Sequence, residues 1–218
     1  MIVHISIDDV IYSLRYLAQN RPDSVFDMRL FGKLRYLYET YGAKFTLYAF
    51  AMSSDFLISE IPCEYAVEFA ESKDWLRFGY HGKCGATAFR DECGFRQGYR
   101  LVDDTLSRLN TGKTDVLRLH SWYATSEQKQ YLYENGVTQL LFPDIDELYE
   151  NGESFTEDGI LHHRTRVWFE KMSLMTADTL LVGKENVYAF THEKHFEGQT
   201  DNIEKAIALY KQADYLFI

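Results

Sequence analysis

The stretch Ile2-Val3-His4-Ile5-Ser6-Ile7-Asp8-Asp9 decides how the rest of the chain is read. Val3 to Ile7 is a β-branched run that stops at two adjacent carboxylates, and a helix-period stretch follows over Val10–Ala18. Working outward, the same alternation recurs. A helix spans Phe26 to Tyr41, with Met28, Leu30, Phe31, Leu34 and Leu37 on its apolar face, and Gly42 closes it. Strands are expected at Phe45–Phe50, Leu76–Tyr80, Val116–Leu119, Gln139–Phe142, Thr165–Phe169 and Val187–Thr191, with a short terminal one at Tyr215–Ile218. Helices are expected at Cys63–Ser72 behind Pro62, over 95–109, and from Thr125 to Gly136 with Gln128 as capping-box partner. Another is capped by Thr176, and the last, Ile203–Ala213, by Thr200 or Asp201. Residues 145–160 read as a loop or hairpin turning at Asp158-Gly159.

Strands separated by helices pair in parallel through right-handed crossovers. A distorted seven-stranded parallel (β/α) barrel fits the 218 residues, and a doubly wound open sheet is its competitor. The polar residues favour the barrel. Asp8-Asp9, His81, His120, Asp144 and His192 all fall at C-terminal strand ends, the face on which barrel enzymes build their sites. No linker or repeat interrupts the pattern, so residues 1–218 read as one domain.

Each of these residues has a chemical reading beside a structural one. Of the pair Asp8-Asp9, one carboxylate can hold a divalent metal while the other serves as general base; the plain alternative is an N-cap for the following helix. His81, between Gly79 and Gly82, suits Zn²⁺ or another borderline metal. Strand alternation turns Arg118 and His120 to one face, inward in a barrel, where the guanidinium orients a carboxylate or an anionic group. His192 is a candidate general acid, with Asp144, or else Asp146, to orient it. His4 reads as interior, and His162, His163 and His195 as loop or surface residues. Cys84 and Cys93 read as reduced filler, because their spacing from His81 matches no structural zinc pattern.

Composition removes other classes. With 23 Lys+Arg against 33 Asp+Glu the net charge is −10, and no basic cluster is present to neutralise a phosphate backbone, so nucleic acid is not an expected partner. No apolar run approaches the roughly 20 residues that span a bilayer. The opening Met1-Ile2-Val3-His4-Ile5 lacks a basic n-region, which gives a cytoplasmic expectation. Three irregularly spaced cysteines do not make a disulfide framework.

These motifs, in this order, resemble the polysaccharide deacetylase-like proteins, seven-stranded (β/α) barrels that include chitin and peptidoglycan deacetylases. Ser6-Ile7-Asp8-Asp9 is similar to the family's first motif, which implies Asp8 as base and Asp9 as metal ligand. Gly79-Tyr80-His81-Gly82 is similar to the motif that opens with a metal-binding histidine, Leu117-Arg118-Leu119-His120 to the arginine motif, and Ala189-Phe190-Thr191-His192 to the one that ends in the acid. Two departures stand out. Gly85 occupies the place of the family's second metal-binding histidine, and the usual Arg-x-Pro is missing. His120, inward-facing at a strand end, is the expected third ligand beside Asp9 and His81. The resemblance implies a Zn²⁺-type hydrolase of an N-acylated sugar or related amide, acting on a small saccharide or saccharide precursor. The rival expectation is a non-catalytic barrel that binds a carbohydrate or a protein, its metal site having decayed at Gly85.

Overall fold

The computed structural model describes residues 1–85, 91–143, 154–171 and 185–218. Strand β1 (Ile2–Val10) lies at the centre of the larger sheet. It runs one residue past the Asp pair, to Val10, carrying a register shift between Ile7 and Val10 against β2 (Phe45–Phe50). After β2 come the small hairpin β3 (Met52–Ser53) and β4 (Phe56–Leu57), then β5 (Leu76–Gly82), β6 (Gly112–Lys113) and β7 (Val116–Leu117). The remaining strands are β8 (Gln139–Phe142), β9 (Ser154–Glu157), β10 (Ile160–Arg164), β11 (Val167–Trp168), β12 (Asn186–His192) and β13 (Leu216–Phe217).

One sheet orders its strands β11-β12-β1-β2-β5-β6, with β13 also on β1, and all of these pairings are parallel. The other runs β7-β8-β10-β9, parallel except for the β9–β10 hairpin. The sheets are continuous in sequence at β6–β7 and at β10–β11, and side chains from the first sheet and from the segment that follows β7 converge on one cavity. The result is a parallel α/β barrel with two seams, which is the expected distorted form. Buried apolar residues on the outer face of β1 (Val3, Ile5, Ile7) meet the helices, while His4, Ser6 and Asp8 alternate into the interior and are buried as well.

The helices are α1 (Tyr12–Asn20), α2 (Arg29–Tyr41), α3 (Ala66–Glu71), α4 (Glu92–Arg108), α5 (Ser126–Glu134) and α6 (Glu193–Gln212). Local signals explain several of their ends. Gly42 takes φ 74° and donates its N–H to the Tyr38 carbonyl, and Thr125 and Gln128 form the reciprocal capping box. No described helix is long and apolar enough to cross a membrane.

Three expectations need correction, and one alternative falls away. The last helix does not wait for Thr200 or Asp201 but starts at Glu193, directly after β12, because Phe196 is buried and the helix runs on through Gly198; intrinsic propensity is a weak prior against packing. His162 and His163 are buried, not superficial, since they lie on β10, which pairs with β8 as a parallel strand. The expected strand at Thr165–Phe169 shrinks to Val167–Trp168. Nor do Asp8 and Asp9 cap the following helix. Its N-cap residue, Ile11, has no side-chain bond, and the N-terminal N–H groups go to Glu193. The Asp158-Gly159 turn is present, with positive φ at both residues, whereas the helix expected behind Thr176 lies outside the described residues.

Gly79 shows how tightly the barrel closes beneath the site. A Cβ there would stand 2.7 Å from Leu117 Cδ2, 2.9 Å from Thr114 Cγ2 and 3.1 Å from a Tyr48 ring carbon. Leu117 and Tyr48 are buried and have nowhere to go. Gly79→Ala is expected to lower the unfolding free energy by about 1–3 kcal/mol, read as a shift of the urea midpoint at unchanged slope.

Candidate metal centre and its cavity

The register of β1 with β12 places Asp8 directly opposite His192. Both line a cavity of about 200 Å³, together with His81, Arg118, Leu119, His120, Ser121 and Trp122. The structure thus gathers Asp8, His81, Arg118, His120 and His192 from four parts of the chain. Asp9 joins them through its contacts with the two histidines. Asp144 and its alternative Asp146 lie outside the described residues.

Asp8 and Asp9 occupy different environments although they are neighbours. Asp8 is 2% exposed; its Oδ1 accepts from Ser6 Oγ at 3.2 Å, and its Oδ2 lies 3.1 Å from Arg118 Nε. Burial pushes its pKa above the usual carboxylate range, and Arg118, His81 and His192 offset only part of that. The Arg118 guanidinium packs against the rings of Trp122 and Phe190, 4.3 and 3.8 Å from their centroids.

Asp9 has the positive φ of 59°, which turns its carboxylate aside from the strand. A non-glycine residue is held there at a cost of about 1–3 kcal/mol, so the surroundings must enforce it. Asp9 Oδ1 lies 3.1 Å from His81 Nε2 and 3.4 Å from His120 Nδ1. Burial alone would raise its pKa, but the hydrogen bonds of His120 and His81 outweigh that and hold the carboxyl well below its ordinary value.

His81 Nδ1 lies 2.7 Å from the Arg118 carbonyl oxygen, which can only accept, so this nitrogen carries the proton. In the neutral ring Nε2 is then a bare lone pair aimed at a carboxylate oxygen. Two lone pairs at 3.1 Å require a proton or a cation between them. His120 completes the group, and one ligand atom from each of Asp9, His81 and His120 lies within 4.8 Å of the others. One carboxylate and two imidazoles, one of them oriented by a backbone carbonyl, suit a borderline divalent metal such as Zn²⁺ that keeps a further position open. His120 reaches the group differently from the expected strand alternation. The strand ends at Leu117, and His120 opens a single 3-10 turn through Trp122, with Ser121 and Trp122 both at positive φ.

His192 has a partner that the reading from sequence missed. Glu170 Oε1 accepts from the His192 backbone N–H at 2.7 Å and from its Nδ1 at 2.8 Å. Burial works against the imidazolium, but Glu170 and the negative charges of Asp8 and Asp9 raise the His192 pKa above the ordinary histidine value. Glu170 follows β11, so the rule that selected the other strand-end groups would have found it had it been applied to that strand.

No family model matches the sequence, and no curated protein does. Solved structures do share the fold. A peptidoglycan N-acetylglucosamine deacetylase bound to a naphthyl N-hydroxybenzamide aligns over 100% of this chain and 85% of its own, with TM-score 0.61 and 14% identity. A family 4 acetyl xylan esterase from Clostridium thermocellum, in complex with a cobalt ion, aligns over 100% of this chain and 87% of its own (TM-score 0.57, 12% identity). A family 4 carbohydrate esterase pseudoenzyme from Bacillus anthracis covers 99% of this chain and 62% of its own (TM-score 0.56, 11% identity). The 4-α-glucanotransferase of Thermococcus litoralis covers 98% of this chain and 38% of its own (TM-score 0.64, 11% identity). The fold is therefore the distorted α/β barrel of the family 4 polysaccharide deacetylases. At these identities the likeness is one of fold, and the fold also serves other chemistry.

The Glu170–His192 pair is directly testable. In Glu170→Gln the neutral amide removes the charge that favours the imidazolium while burial persists. The His192 pKa, followed by NMR titration, is expected to fall below its wild-type value. An unchanged titration would mean that Glu170 does not set it.

Proposed function

We propose that the protein is a metal-dependent hydrolase that removes an acyl group from an N-acylated sugar or related amide. One observation carries this reading: the Asp9, His81 and His120 donor group stands beside a cavity lined by both Asp8 and His192. A divalent cation held by those three residues supplies Lewis-acid polarisation of the amide carbonyl and a lowered pKa for water. Asp8 is the base that takes the proton of the attacking water, and its raised pKa brings it nearer the working range of a general base. Arg118 holds the Asp8 carboxylate in place, and Ser6 fixes its second oxygen. His192, whose protonated form the Glu170 carboxylate favours, gives its proton to the leaving amine. The small cavity favours one acylated sugar residue or a small saccharide precursor at the reacting centre. The deacetylase and esterase with the same fold support the choice of an acyl-sugar substrate.

A second reading is a non-catalytic carbohydrate- or protein-binding barrel. What favours it is that both Asp8 oxygens are already engaged, by Ser6 and by Arg118; the fold also occurs in a pseudoenzyme.

The two readings separate on acetate release from N-acetylated amino sugars and their short oligomers, with Zn²⁺ or Co²⁺ added to chelator-stripped protein. Turnover that depends on metal is expected, and Asp8→Asn should lower kcat by about 10²–10⁴-fold while leaving metal uptake intact. No release across the panel would favour the binding barrel, and absence of bound metal would favour it further. His120→Ala is expected to weaken metal affinity, measured by titration; affinity equal to the parent would remove His120 from the ligand set.

A further inference from the structure

The left-handed conformation of Asp9 needs something to hold it, and the structure shows two anchors. On its N-terminal side Asp8 is paired in register with His192. On its C-terminal side the backbone N–H groups of Ile11 and Tyr12 each donate to Glu193 Oε2 at 2.8 Å, and Ser13 N–H donates to Oε1 at 2.6 Å. The anchors are thus the consecutive residues His192 and Glu193, at the junction where β12 becomes α6. Only Asp9 and Val10 lie between the anchored positions, and Val10 is buried and paired with Ala49 on the opposite side.

We propose that Glu193 is a positioning residue of the candidate metal centre. Its carboxylate clamps the first turn of α1 to the first residue of α6. That closes a short loop around Asp9 and keeps φ positive, with the carboxylate turned toward His81 and His120. A plain helix cap would need no such partner. Local Ser, Thr, Asp or Asn residues usually serve, and here the cap comes from 182 residues away in the chain and from the residue next to His192. Glu193 touches no reacting atom in this scheme and acts only through Asp9. The inference rests on reading Asp9, His81 and His120 as a metal centre.

The test compares Glu193→Ala, Glu193→Gln and Glu204→Ala in the full chain. Glu204 also lies on α6 but binds Lys33, Tyr36 and Tyr41, so its loss controls for destabilisation of that helix. Glu193→Ala is expected to weaken Co²⁺ binding by about 10–100-fold and to change the visible spectrum of the bound ion. Glu193→Gln, which keeps one acceptor oxygen, should recover part of both. Glu204→Ala should lower the melting temperature without either change. A second comparison needs no metal. The His81 and His120 imidazole ¹⁵N signals of the metal-free protein should shift in Glu193→Ala and return toward the parent in Glu193→Gln. Absence of Co²⁺ uptake by the parent would overturn the metal reading alone, and the imidazole signals would then decide the role of Glu193. Unshifted imidazole signals, or parental Co²⁺ affinity in Glu193→Ala, would overturn the proposal.

Discussion

The parallel register between β1 and β12 is the constraint on which the rest of the site depends. It brings a strand from the start of the chain beside one from near its end and sets Asp8 opposite His192. The bulge that follows lets β1 continue pairing with β2 at Val10 while Asp9 leaves the pleat. Without the register the two carboxylates would be an ordinary strand terminus. With it, one faces the barrel interior and the other faces two histidines. The helices that leave these strands, α1 and α6, consequently begin side by side, which is why one carboxylate at Glu193 can serve both.

Each acid around the cavity meets a basic partner from elsewhere in the chain. Asp8 meets Arg118, Asp9 meets His81 and His120, and Glu170 meets His192. Taking such groups out of water costs several kcal/mol per ion, and buried ion pairs seldom repay it as stability. A fold in need only of a core would fill this space with apolar side chains, as it does on the outer face of β1. The polar cluster at the barrel mouth is therefore better explained by chemistry than by folding. The pairs also divide the labour: burial raises Asp8, histidine contacts lower Asp9, and Glu170 raises His192. Under the proposed function, adjacent acids pushed in opposite directions would give the site both a proton acceptor and a cation ligand.

Much of this was written locally in the chain. The runs Phe45–Phe50 and Gln139–Phe142 coincide with observed strands, and Gly42 and the Thr125–Gln128 box mark helix ends, because turn chemistry and hydrophobic period act over a few residues. Parallel strands with polar residues at their C-terminal ends also imply that those residues converge, so Asp8, His81, Arg118, His120 and His192 could be named before any coordinates. What the tertiary structure alone decided are the relations between distant residues. The parallel pairing of β10 with β8 buried His162 and His163, which sequence pattern had placed on the surface. Packing of Phe196 carried α6 past the residues that read as a cap. Glu170 and Glu193 met their partners only when β11 and α6 came to lie beside His192 and α1. A carboxylate's function depends on which donors stand within about 3 Å of it, and that distance is set by the fold across long stretches of chain rather than by neighbouring letters.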